Sequence, residues 1–338
     1  MRSHFVVPRG VTAACAVAGA TAVLNGNCSA GTFIAADYAT NATYLSGWTT
    51  NQNSGYGFSA WSFDGTSTNS SQAMSSSSSI GTAWTLLDGS SVGGISIAGR
   101  AITEPGGLQP GQTFQTVIQN PTGYHFYRGF DILFCNGTDT NPGGDNAAAL
   151  RLTVFGYYGG YGATFWSVTD GSPYGSTTTP LDFTNTAAGG MQIALTLTSA
   201  TNYSLTMTPL NGTTPYTLTG SLALTNTDAD TSLIVTNLPI NYVNYRLWNT
   251  ASSGPNDTTN NFFISSMTIL GLTLNIQVVG NNAILSWPTN FPAFYLASST
   301  NLGPVAVWNT NLPSPAIVNG QNVVTNPITG SQQFFRLQ

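Results

Sequence analysis

Residues Met191-Gln192-Ile193-Ala194-Leu195-Thr196-Leu197-Thr198 alternate, so that Met191, Ile193, Leu195 and Leu197 fall on one face and mostly polar residues on the other. A period of two belongs to a half-buried β-strand, and no 3.6-residue helical period competes with it along the chain. The alternation repeats at 203–208 and 216–224, on either side of a Pro-Leu-Asn-Gly-Thr-Thr-Pro turn, which predicts an antiparallel meander. Further strands are predicted at 94–102, 113–119, 130–135, 149–155, 164–169, 232–238 and 261–270, separated by Gly, Asn, Ser and Pro clusters. Many short strands with turn signals about every ten residues predict an all-β chain, and over residues 31–271 a large antiparallel jelly-roll sandwich fits best. The Ser/Thr/Asn-rich stretch 65–79, with five serines at 75–79, reads as a long surface loop.

Charge narrows the partners. Only 6% of the 338 residues are charged; all seven basic residues are Arg, and Glu104 is the single Glu among twelve acids. No apolar run reaches the roughly 18 residues of a membrane-spanning helix, and 11% aromatic residues argue against disorder. The surface is therefore made polar by Asn, Ser, Thr and Gly, which suits neutral, hydroxyl-rich partners. A net charge of −5 without Lys removes the electrostatic term on which nucleic-acid binding depends.

At the N-terminus, Arg2 and Arg9 precede a small-residue apolar stretch at 11–24 and then Asn25-Gly26-Asn27-Cys28-Ser29-Ala30. Residues 1–30 read as a signal peptide, which predicts a secreted, extracellular or cell-surface protein; a buried first strand or helix is the alternative. Cleavage near Ala30 leaves Cys135 alone, in an alternating strand where a buried, inert thiol is expected.

Around residue 272 the pattern restarts as a compact module over 272–338. Strands are predicted at 274–278, 283–288, 293–299 and 334–337, with a core on Trp287, Tyr295 and Trp308. The string Leu285-Ser286-Trp287-Pro288, residues 295–302, Val307-Trp308, residues 318–322 and Gln333-Phe334-Phe335-Arg336-Leu337 resembles a terminal module of exported verrucomicrobial proteins, similar to fibronectin type III or immunoglobulin-like sandwiches. That resemblance implies display or attachment outside the cell and transfers no catalytic residue. The large domain resembles, more loosely, the concanavalin A-like jelly rolls, on Gly47-Trp48, residues 55–61 and residues 261–269.

Candidate chemistry is sparse. Usual glycoside hydrolysis needs two carboxylates about 5 to 9.5 Å apart; the one Glu sits in a turn, and no spacing singles out a pair among the eleven Asp. His125 has no second histidine to work with outside the leader, so nucleophilic catalysis and zinc binding lack their residues. Residues 136–146 place Asp139, Asn141 and Asp145 in a Gly-rich loop, hard oxygen donors of the kind calcium takes, although the same residue types favour turns by themselves. Aromatic residues cluster at 155–166, where Tyr157, Tyr158, Tyr161 and Trp166, with Trp48 and Trp61, are candidates for stacking on sugar rings or for covering the sandwich edge. Three functions stay open: a non-catalytic carbohydrate-binding or adhesion protein, a self-assembling surface-layer or filament subunit, and a polysaccharide-active glycosidase using an Asp pair.

Overall fold

A computed structural model of the chain describes residues 15–18, 27–65, 70–77, 79–88, 95–120, 128–137, 150–158, 164–170, 176–223, 238–249, 260–288, 295–301, 306–310, 312–318, 321–329 and 332–337. The first strands are β1 (Cys15–Ala18), β2 (Asn27–Tyr38), β3 (Ser62–Gly65), β4 (Ser70–Ser77), β5 (Gly81–Asp88), β6 (Ile95–Ala101) and β7 (Thr113–Gln119). Next come β8 (Arg128–Cys135), β9 (Leu150–Tyr158), β10 (Thr164–Thr169), β11 (Ser176–Thr178), the short helix α1 (Phe183–Gly189), β12 (Met191–Leu197), β13 (Asn202–Pro209) and β14 (Tyr216–Ser221). The last are β15 (Tyr242–Asn249), β16 (Asn260–Val279), β17 (Asn282–Pro288), β18 (Leu296–Ser299), β19 (Ala316–Val318), β20 (Gln321–Pro327) and β21 (Gln332–Leu337).

Two compact units result. The large one, Ile34–Ile269, is an antiparallel jelly-roll sandwich. Its seven-stranded sheet runs β11-β10-β9-β8-β15-β6-β3. The facing sheet runs β14-β13-β12-β7-β16, with β5 pairing the start of β16 and β4 pairing β5. The predicted alternation at Met191 is realised in β12, where burial alternates along the strand. Register then fixes which residues meet the core: Ala98, Tyr245, Ile132, Val154 and Val168 lie side by side on the inner face of the seven-stranded sheet, all buried. They meet the inner residues of the second sheet through stacked Phe130 and Phe262, 4.4 Å apart, and edge-on Phe114 and Phe134, 5.3 Å apart. A hydrogen bond crosses the core from the Tyr245 hydroxyl to Thr116 Oγ1, 2.9 Å.

The small unit comprises Met1–Phe33 and Leu270–Gln338. The end of β16 pairs with β17, followed by β20 and β19, and a three-stranded sheet runs β1-β21-β18. Leu274, Ile276, Leu285, Trp287, Val324 and Phe335 form its core. Trp287 is buried as expected, whereas Tyr295 is 55% exposed and Trp308 is half-buried under Arg336, 4.2 Å from its ring. The core therefore rests on one of the three aromatic residues expected to build it.

Three further differences from the sequence reading have physical causes. Residues 70–77, expected within a loop, form strand β4, paired over its whole length with β5. Their serines carry no apolar signal, yet Met74 packs on the core and Ser75 bonds the Thr85 hydroxyl. Strand β15 is central to its sheet although its sequence mixes Tyr, Asn, Arg and Trp. Helix α1 is too short to show a period; Asp182 caps it by accepting from the Asn185 backbone N–H.

Candidate functional site

The indoles expected to stack on sugars are core residues. Trp48 is 2% exposed, Trp61 1% and Trp166 0%. Trp48 and Trp61 meet edge-on at 4.9 Å, and Trp61 meets Trp84 at 5.0 Å. Trp166 donates from Nε1 to Thr186 Oγ1 at 2.8 Å and packs against Phe130 and Phe183. A ring already enclosed by side chains offers no face to a ligand, so the stacking role expected of these three is corrected to a packing role. Tyr157 and Tyr158 end β9, in register with Gly129 and Phe165, and with Arg128 and Thr164, respectively. Tyr161 and the calcium candidates Asp139, Asn141 and Asp145 lie outside the described residues, as does His125. Among the described residues no three His, Cys, Asp or Glu gather where a metal ion could sit. Cys135 is buried, as its strand setting implied.

What the fold does gather is the outer face of the seven-stranded sheet. Val243, Tyr245 and Leu247 of β15 point into the core, so the intervening Tyr242, Asn244, Arg246 and Trp248 belong to the opposite face. Two glycines make room for them. A Cβ on Gly129 would lie 2.4 Å from Trp248 Cζ2, and one on Gly99 would lie 2.1 Å from Asn244 Oδ1 and 2.6 Å from Tyr242 Cε1. The indole and the amide therefore lie directly against the sheet.

Around them the face mixes polar groups with buried apolar ones, Ile97, Leu133 and Cys135. Arg246 donates to Asp131 Oδ2 at 2.6 Å, which cancels the charge of both. Ser62 Oγ and Tyr242 Oη are 2.6 Å apart. Phe155 and Phe165, ring centroids 6.1 Å apart, are half-buried beside Trp248's end of the sheet. Asn244 is 1% exposed and Thr153 6%, and neither the amide atoms of Asn244 nor Thr153 Oγ1 has a hydrogen-bond partner. Leaving such a group buried and unpaired costs about 1–3 kcal/mol.

Asp64 and Asp131 share this face with Ile97 and Arg246 between them in register. Three strand spacings, about 14 Å, separate their backbones, against about 9.5 Å at most between carboxyls working on one glycosidic bond. Asp170 accepts from the Tyr203 hydroxyl at 2.6 Å, and Asp182 caps α1.

A second polar cluster lies inside the sandwich. Arg100 and Asp37, both fully buried, pair at 2.5 Å. Arg100 also donates to Asn53 Oδ1 at 2.6 Å and to the Ser59 carbonyl at 2.8 Å, and lies 4.7 Å over the Trp61 ring. Asp37 accepts in addition from the Tyr44 hydroxyl at 2.5 Å and from Asn41 at 2.8 Å. Burial and the bond to Asp37 push the Tyr44 hydroxyl up to about 12. This cluster ties residues 37–61 to β6 and is structural: all its groups face one another.

No family model and no curated protein matches the sequence. Among solved structures, the exoplasmic/lumenal domain of VIP36, in its Ca2+/Man3GlcNAc-bound form, aligns over 63% of this chain and 85% of its own, at 10% identity and a TM-score of 0.41. A legume lectin-like domain from Entamoeba histolytica covers 62% and 89%, at 9% identity and a TM-score of 0.39. Peanut lectin covers 64% and 99%, at 11% identity and a TM-score of 0.38. At these scores the likeness bears on no residue, and function rests on this chain's own side chains.

Proposed function

We propose that the protein is a non-catalytic, exported carbohydrate-binding protein whose glycan site is the outer face of the seven-stranded sheet. One observation carries this reading: a half-buried indole, Trp248, packed against Gly129 on the same sheet face as the Tyr242 and Ser62 hydroxyls and the Asn244 amide. Sugars present an apolar C–H face and a rim of hydroxyls that both donate and accept, so they match a ring flanked by amides and hydroxyls. A surface with few ions gives such a ligand little competition from charged partners. Export through residues 1–30 belongs to the same reading and predicts a mature N-terminus near Ala30, with β1 confined to the precursor. Calcium held by Asp139, Asn141 and Asp145 belongs to the same reading.

The test is retention of the purified protein on a panel of soluble and insoluble neutral polysaccharides, with calcium and then with EDTA. Trp248→Ala is expected to weaken binding about tenfold, a loss of about 1.4 kcal/mol, while Val307→Ala in the small unit leaves it unchanged. Equal retention of wild type and Trp248→Ala would remove this face from consideration, and insensitivity to EDTA would remove the calcium.

A second reading, self-association, is favoured by the edge of the small unit. Strand β19 ends its sheet, all three of its residues are exposed, and Ile317 is 74% and Val318 50% exposed. From Leu270 to Gln338 the only charged side chain is Arg336. An apolar strand edge without charges is a template for another strand. Concentration-dependent growth in sedimentation velocity, abolished by Ile317→Lys, is expected under this reading; a wild type that stays monomeric at high concentration counts against it.

A further inference from the structure

We infer that copies of the exported protein join head to tail, strand β19 of one copy taking the place beside β21 of the next that β1 holds in the precursor. The inference rests on the export and self-association readings and gives the donor strand its acceptor. In the three-stranded sheet, β21 lies between β1 and β18, with Cys15 opposite Phe335, Ala16 opposite Phe334, Val17 opposite Gln333 and Ala18 opposite Gln332. Under the export reading β1 leaves with residues 1–30, and β21 becomes the edge of a two-stranded remnant. Two paired strands are marginal in water, and the uncovered one carries Phe335 and Leu337 of the small core. Its sequence, Gln332-Gln333-Phe334-Phe335-Arg336-Leu337, holds one charge and no Pro, so it lacks the guards by which edge strands refuse a further strand.

What enters has to match what leaves. Ala316-Ile317-Val318 has the form of Ala16-Val17-Ala18: a β-branched residue between two smaller apolar ones, without charge. Strand β19 pairs with β20 on one side and ends its sheet on the other, where its backbone can extend a neighbour's sheet. Laid antiparallel on β21 in the register of β1, Ile317 stands where Val17 stood, opposite Gln333. Docking removes Ile317, 74% exposed, and Val318, 50% exposed, from water. Arg336, the one charge on the acceptor strand, lies over the Trp308 ring and beyond the four positions that β1 covers. Donor and acceptor are different strands, so the contact is not two-fold: every added copy leaves one of each unused, and the assembly grows as an open chain.

The experiment uses protein recovered after secretion of the full chain, its N-terminus read by mass spectrometry and its size by sedimentation velocity. Wild type is expected to grow beyond a dimer as concentration rises. Ile317→Lys disables the donor and Gln333→Lys the acceptor, and each variant alone is expected to stay monomeric. Mixed in equal amounts, they are expected to form a dimer and nothing larger, because the intact donor of one meets the intact acceptor of the other; that dimer also shows that both variants are folded. If Gln333→Lys alone still associates, β21 is not the acceptor, and the inference is overturned while the self-association reading stands. A mixture that stays monomeric overturns the head-to-tail contact, and so does an N-terminus that keeps residues 15–18 in a wild type that associates. If wild type is monomeric at every concentration, the self-association reading and the inference fall together.

Discussion

A guanidinium with no exposure to water survives at Arg100 because each of its faces is answered: by the Asp37 carboxylate, the Asn53 amide, the Ser59 carbonyl and the Trp61 ring. Removing one member of such a pair strands the other charge in a medium that cannot solvate it. Asp37→Asn is therefore expected to lower unfolding free energy by about 3–5 kcal/mol. The double variant Asp37→Asn/Arg100→Met, which strands nothing, should lose less than Asp37→Asn alone. Urea unfolding of the three proteins checks this, and a double variant that is the least stable of the three would contradict it. The pair was not legible in the sequence. Its members stand 63 positions apart, and no local pattern relates a residue near the end of β2 to one in β6. The same holds for Asn244, whose place against the sheet comes from Gly99 on the neighbouring strand β6, and for Trp48, Trp61 and Trp166, whose types suit stacking and packing alike until burial separates the two.

At the scale of the element, alternation was a sufficient guide wherever one face of a strand meets the core and the other meets neutral polar contacts. Strands β7 and β10 span the predicted residues, and β12 differs at one end by a single position. The guide failed where both faces are covered or where neither is apolar. In β15, Asn244 and Tyr242 are buried on the outer face while Val243 and Tyr245 are buried on the inner one, so polar and apolar residues no longer mark opposite sides. That failure hid the central strand of the candidate site. In β4, serine side chains answer to hydroxyls and amides, Thr85 for Ser75 and Gln119 for Ser77, and pairing with β5 supplies the order that composition did not announce. A strand recognised by its partner cannot be read from its own letters. At the break expected near residue 272 there is no gap between strands. Strand β16 continues through it, yet the core changes hands there, with Ile269 in one cluster and Leu274 in the other.

For the whole molecule, near-absence of charge leaves stability to burial and to uncharged hydrogen bonds, and burial is divided unequally. The large unit carries an extended aromatic and aliphatic core, while the small one depends on a short cluster with Trp287 as its largest side chain. The two clusters share no residue, so damage to one should be local. Trp287→Ala removes a ring buried to 1% and is expected to cost the small unit about 3–5 kcal/mol, a large share of what so small a core supplies. Hydrogen exchange read by mass spectrometry resolves where that loss falls. Amides of β17, β20 and β21 should exchange faster by two or more orders of magnitude, following about 1.4 kcal/mol per tenfold change, while those of β8, β12 and β15 keep their protection. If protection falls equally in both sets of strands, the units unfold as one and the small unit has no stability of its own. If it falls only in the small unit, Trp287→Ala also isolates the two functional readings, because glycan retention should persist while any association through β19 is lost.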